Sequence, residues 1–136
     1  MATPTEVRRL YNALINSGNI RYAVLPVGAA SVALTAAGAW AWGVWAQIAA
    51  SVGAAEAWLY QVAMETPSAP AAGYDVDIGF GTAPAGTHLA EVPFFAALVN
   101  LPFPVLIAAT IGVVGRTRSS TGAATIAVKV GVITGA

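Results

Sequence analysis

Residues 22–48 read YAVLPVGAASVALTAAGAWAWGVWAQI, a run without one charged side chain. About 20 apolar residues suffice for a helix to cross the roughly 30 Å hydrocarbon core of a bilayer. Tyr22 opens the run, and Trp40, Trp42 and Trp45 cluster toward its other end. On a helix rising about 1.5 Å per residue, Tyr22 and Trp42 stand about 30 Å apart, the separation of two interfacial aromatic belts. The stretch therefore predicts a transmembrane helix over 22–50.

A second uncharged run extends from Pro93 to Val114 and is closed by Gly115-Arg116-Thr117-Arg118. It predicts a second span over 93–115. Within it, Asn100-Leu101-Pro102-Phe103-Pro104 interrupts regular helix, because proline removes a donor and clashes one turn back. A kink is expected there, with neighbouring helices satisfying the freed carbonyls.

The composition agrees with a membrane protein. Of 136 residues, 57% are hydrophobic and 9% charged, the formal net charge is zero and the mean hydropathy is +0.71. Ordinary soluble domains are about 25% charged, so a soluble enzyme is disfavoured. A nucleic-acid binder would show a basic excess and a disordered chain would be poor in apolar residues. The absence of cysteine removes disulfide frameworks, thiol catalysis and Cys-based zinc sites.

The charges are segregated. Arg8, Arg9 and Arg21 precede the apolar part, Arg116, Arg118 and Lys129 follow it, and Glu56, Glu65, Asp75, Asp77 and Glu91 lie between. Lys and Arg mark loops retained on the cytoplasmic side, which places both termini inside and the middle segment outside. The membrane-interface residues on this reading are Arg8, Arg9, Arg21, Tyr22, Trp40, Trp42, Trp45, Arg116 and Arg118. A three-span rival that turns back near Gly43 would bury Glu56 and invert the carboxyl end. Arg8-Arg9 ahead of the apolar run reads as an anchor of cytoplasmic orientation rather than an export signal.

The expected fold is thus an all-α integral membrane protein, a two-span helical hairpin. Residues 1–21 form an amphipathic helix on the cytoplasmic side, started by Thr3-Pro4-Thr5-Glu6 as a capping box and carrying Val7, Leu10, Tyr11, Leu14 and Ile15 at helical spacing. In the first span Ala29, Ala33 and Ala37 make one small-residue row, and Ser31, Thr35, Ala39 and Gly43 another, for close helix packing. Residues 51–92 comprise an amphipathic extension, with Ala55, Trp58, Leu59 and Val62 on one face, and then a Pro/Gly-rich outer loop. Inside that loop Val76, Ile78 and Phe80 alternate with Asp75, Asp77 and Gly79, which predicts one short strand. The tail, 116–136, alternates Ile126, Val128, Val130 and Val132 with Ala127, Lys129 and Gly131 and also reads as a strand. Neither strand has an evident partner within the chain, so pairing with another subunit is inferred.

Little of this carries chemistry. Asp75, Asp77, His88 and Glu91 share the outer loop and are candidate ligands for a divalent metal. One imidazole among loop carboxylates is also ordinary loop composition, so no metal and no cofactor is assigned. No nucleophile elbow, phosphate loop or His-Glu-x-x-His run is present, and Asn100 is a helix-packing hydrogen-bond donor at depth. The expected function is a non-catalytic structural or accessory membrane subunit of a larger assembly, either an energy-converting complex or a virion membrane. The alternatives are a holin-like channel-forming homo-oligomer and an outer-face metal binder. The expected partners are the lipid bilayer and other membrane subunits, in homo- or hetero-oligomers, and not nucleic acid.

Overall fold

In residues 57–65, AWLYQVAME, the side chains of Ala57, Leu59, Val62 and Met64 are all buried. The first two follow one strand phase and the last two the other. The phase changes at Tyr60, where the register against both neighbouring strands shifts between Leu59 and Gln61. A β-bulge inserts one residue and flips the inside-outside alternation beyond it. Leu59 and Val62, three apart on one face, therefore imitate the spacing of a helix. This corrects the amphipathic helical extension expected at 51–66.

A computed structural model describes residues 4–5, 8–9, 20–28, 30–94 and 97–135. These contain nine strands: β1 (Ile20–Leu25), β2 (Val32–Thr35), β3 (Ala46–Ala49), β4 (Ala57–Glu65), β5 (Tyr74–Phe80), β6 (Thr87–Pro93), β7 (Leu98–Ile107), β8 (Val113–Ser119) and β9 (Thr125–Gly135). Sheet 1 has the order β1-β9-β4-β7, with β2 also on β9, and sheet 2 the order β3-β8-β5-β6. Every strand pair is antiparallel. One core lies between the sheets, filled from sheet 1 by Leu34, Leu59, Met64, Ile126 and Val128 and from sheet 2 by Val76, Ile78 and Val113. Full burial of such a side chain contributes about 1.5–3 kcal/mol.

The expected helical hairpin is overturned. Among the described residues no helix is long and apolar enough to cross a membrane. Residues 22–48 are apolar because alanines and valines occupy both faces of short strands, and the run is broken by a turn at Pro26-Val27-Gly28. The small-residue rows do not pack helices: Ala33, Thr35, Ala37 and Ala39 are exposed on or just beyond β2, and Ser31 hydrogen-bonds Glu65 through its hydroxyl. Gly43 is needed for a different reason. A Cβ there would fall inside the Thr35 carbonyl group, where two backbone segments cross. Ala29 lies outside the described residues, as does most of the expected N-terminal amphipathic helix. Of that helix, Pro4, Thr5, Arg8 and Arg9 are described and are helical.

The second expected span, 93–115, is the edge strand β7 followed by the start of β8. Proline is confined to sheet edges and bulges, and Pro102 and Pro104 sit in both. Leu59 pairs Val105 and Gln61 pairs Asn100, so Leu101 to Pro104 loop out opposite Tyr60 alone. The two strands expected from alternation, near 75–80 and 125–134, are present as β5 and β9, but their partners are internal. β9 bonds β1, β2 and β4, and β5 bonds β6 and β8.

Two substitutions separate the Gly43 crossing from a helix-packing row. Gly43→Ala is expected to destabilise the fold by about 2–3 kcal/mol, the cost of overpacking. Ala33→Val, on the exposed side of β2, should change stability by less than about 0.5 kcal/mol. Urea denaturation measures both, and a large loss for Ala33→Val would contradict the strand assignment.

Candidate functional site

The outer face of sheet 2 gathers most of the chemistry-bearing residues of the chain. On β5 the inward set is Tyr74, Val76 and Ile78, so the pleat turns Asp75, Asp77 and Gly79 outward. Their β8 neighbours are Arg118, Arg116 and Val114, which puts opposite charges directly across from each other, the stabilising cross-strand arrangement. On β6, His88 and Glu91 are three residues apart and would face opposite sides of a regular strand. An extra residue at Leu89, between the Ile78–Ala90 and Gly79–His88 pairs, brings both to the outer face.

The charges form a lattice of two neighbouring clusters, one around Asp77 and one around Arg118. Arg116 Nε donates to Asp77 Oδ2 at 2.9 Å, and His88 Nδ1 is hydrogen-bonded to Asp77 Oδ1. The Asp77 side chain is only 2% exposed, so both its oxygens are occupied inside the structure. Arg118 reaches Asp75 Oδ2 at 2.9 Å and Glu91 Oε1 at 3.2 Å. The cations that the charge rule assigned to one side of a membrane thus contact the anions assigned to the other. That is the physical reason the inside-outside topology fails, and with it the localisation as a helical membrane protein with both termini on the cytoplasmic side.

Three tryptophans cover this lattice. The segment before β3 runs along β8, held by Trp40 N–H to Ser119 O at 2.7 Å and Gly43 N–H to Thr117 O at 2.9 Å. From it Trp45, Trp42 and Trp40 interleave with the guanidinium groups. Arg116 lies 4.4 Å from the Trp45 centroid and 4.8 Å from that of Trp42, and Arg118 4.6 Å from Trp42 and 5.7 Å from Trp40. Such contacts contribute about 0.5–2 kcal/mol each, more where water is excluded. Trp45 requires glycine beneath it, since a Cβ on Gly86 would come within 2.6 Å of its ring. Trp40 has φ of 54°, a left-handed conformation that costs a non-glycine residue about 1–2 kcal/mol and is retained by its backbone bond and its stack on Arg118.

The sequence-level candidates therefore sort as follows. Asp75, Asp77, His88 and Glu91 do converge on one face, joined by Arg116 and Arg118, but the three carboxylates serve there as counter-ions to the arginines and His88 is hydrogen-bonded to Asp77. Among the described residues no group of three or more His, Asp or Glu is arranged to hold a metal. Trp40, Trp42 and Trp45 join that face instead of a lipid interface. Tyr22 is on the outer face of sheet 1, against Tyr60, with ring centroids 5.1 Å apart. Asn100 accepts a hydrogen bond from Gln61 Nε2 at 2.9 Å. Arg8 and Arg9 are exposed, and the side chain of Arg21 lies outside the described residues.

Gln47 escaped sequence reasoning. Its Nε2 donates to Ala49 O, Gly81 O and Val113 O, and its Oε1 accepts from Ala83 N–H. One amide thereby ties β3 to β8 and to the β5–β6 turn. A lone polar residue in an apolar run was the available signal.

Removing Arg116 leaves the buried Asp77 carboxylate short of its cation. Arg116→Met should destabilise by about 3 kcal/mol, the usual result of breaking a buried pair from one side. Adding Asp77→Asn to that variant should restore part of the loss, because the uncompensated charge is gone. Denaturant midpoints of the two variants against the unmodified chain give the answer, and a double variant no more stable than Arg116→Met would contradict the pairing.

Comparison of the chain with protein-family models, with curated proteins and with solved structures finds no match.

Proposed function

We propose that the chain is a non-catalytic structural subunit that self-associates into a larger protein assembly through the tryptophan-covered face of sheet 2. The observation that carries this reading is the interleaved stack of Trp45, Arg116, Trp42, Arg118 and Trp40. Tryptophan and arginine are the residue types enriched where protein interfaces concentrate their binding energy. Trp40 is 52% exposed and Val44, four residues on in the same segment, 76% exposed, so apolar surface remains on offer.

The ionic lattice supports a second copy as the occupant. A two-fold interface brings the same patch against itself, and a patch of unpaired like charges would repel its own copy. Here Arg116 and Arg118 are already matched with Asp77 and Asp75, Glu91 shares Arg118, and His88 is hydrogen-bonded to Asp77. Two such faces meet with both guanidinium groups already paired, and the tryptophan edges supply the area. The same pairing favours a building role over a catalytic one, because the ionisable side chains of this face are engaged with one another.

Sedimentation equilibrium of the full chain tests the reading. The expected result is reversible self-association that weakens by at least about tenfold, or about 1.4 kcal/mol, in Trp40→Ala, with the melting temperature checked in parallel. A chain that stays monomeric up to high micromolar concentration, or an association that Trp40→Ala leaves unchanged, would sink it.

A further inference from the structure

The opposite face of the sandwich carries a cavity. It lies on the outer side of sheet 1, where the Leu101 to Pro104 bulge of β7 stands away from β4, and its volume is about 600 Å³. Sites for small organic ligands typically measure roughly 300–1,000 Å³. Its wall includes Tyr22, Tyr60, Gln61, Asn100, Pro102 and Pro104. We propose that this cavity binds a short saccharide.

The lining chemistry selects that class. The Tyr22 and Tyr60 rings, tilted at 58° to each other, both line the cavity, and aromatic rings are the side chains on which the C–H surfaces of a pyranose stack. Gln61 donates to Asn100, a bond that uses one donor of the first amide and the acceptor of the second. Among the described residues the Gln61 carbonyl and the Asn100 amino group make no other side-chain hydrogen bond, giving an acceptor and a donor side by side. Phenols likewise both donate and accept. Sugar hydroxyls have the same dual character, so a pair of adjacent hydroxyls meets both kinds of partner here. Burial, and then the neighbouring Tyr22, raise the Tyr60 pKa above its ordinary value, which widens the alkaline range over which that phenol can donate.

Other ligand classes fit less well. An apolar ligand would strip water from the two amides without replacing their hydrogen bonds, at about 1–3 kcal/mol per group. A phosphate needs several cations, and among the described residues the wall holds one, Arg8. A polyproline peptide offers only carbonyl acceptors, whereas Pro102 and Pro104 contribute no backbone donors and Gln61 and Asn100 bring acceptors as well. The sugar cavity and the tryptophan face lie on opposite sheets, so either can fail without the other.

The test is ligand-observed NMR on the full chain with maltotriose, cellotriose, chitotriose, a galacturonic acid trimer and decaproline. At least one trisaccharide should bind saturably at millimolar concentration or below. Asn100→Ala, on the exposed edge strand, and Tyr60→Ala should each weaken that binding at least about tenfold, Tyr60→Phe should fall between, and Trp40→Ala should leave it unchanged. Melting curves identify any variant that is misfolded, and Gln61→Ala then stands in for it. Absence of binding by all four sugars, sugar binding indifferent to these substitutions, or binding of decaproline alone would overturn the proposal.

Discussion

Strand β9 has a neighbour on each side along nearly its whole length, and sheet 1 depends on it. Residues 125–128 bond β2, residues 130–135 bond β1, and the other edge bonds β4 from Ala127 to Thr134. β1 and β2 have no other partner in the sheet. The inward row Ile126, Val128, Val130 and Val132 is buried to within 1% of completely and supplies the centre of the shared core. Strands from the beginning, middle and end of the chain meet here, so the contacts are non-local and their loop-closure cost precedes any gain. The hydrophobic burial that β9 completes is what offsets that cost.

Sheet 2 is organised differently, from its outer side. Its inner face is apolar apart from the buried Thr117 and Ser119 of β8, while outside Asp77 is held by an arginine and a histidine, with tryptophans stacked on the arginine. A buried ion pair is a weak source of stability against an apolar substitute. Its value here lies in specificity: Asp75 faces Arg118 and Asp77 faces Arg116, and a slip of β8 by one residue would bury both guanidinium groups in the core. The tryptophans then exclude water from a register that the charges select. Face and fold are therefore coupled, since the groups that align the strands are also the groups that build this outer face.

The sequence announced some of this and disguised the rest. The alternation at Asp75 to Phe80 and at Ile126 to Val132 is regular, and both segments are strands. β4 was disguised by its bulge at Tyr60, which moved the buried set from Ala57 and Leu59 to Val62 and Met64 and produced a helical spacing. β1 and β2 were disguised by composition: with Tyr22, Val24 and Ala33 on the outer side, both faces are apolar and no alternation is visible to a hydropathy window. The residues of this face were singled out in the sequence, though for a membrane interface and a metal site, because Trp, Arg, Asp and His stand out in so apolar a chain. Their grouping was not legible, since it depends on the Leu89 bulge beside His88 and on the pairing of β5 with β8, 42 residues apart at Asp75 and Thr117. The segregation of charge along the chain, which suggested two sides of a membrane, reflects two strands that must find each other.

The prolines of β7 reach beyond their local effect. An open sheet edge is a template on which further chains can add strand by strand, and a row of free backbone donors invites it. Pro102 and Pro104 remove two of those donors and push the intervening backbone out of the sheet plane. Copies of this chain therefore find no continuous ribbon to extend at that edge. Strand-by-strand addition is thereby interrupted at the β7 edge of sheet 1, which in so apolar a chain guards against fibrils seeded there.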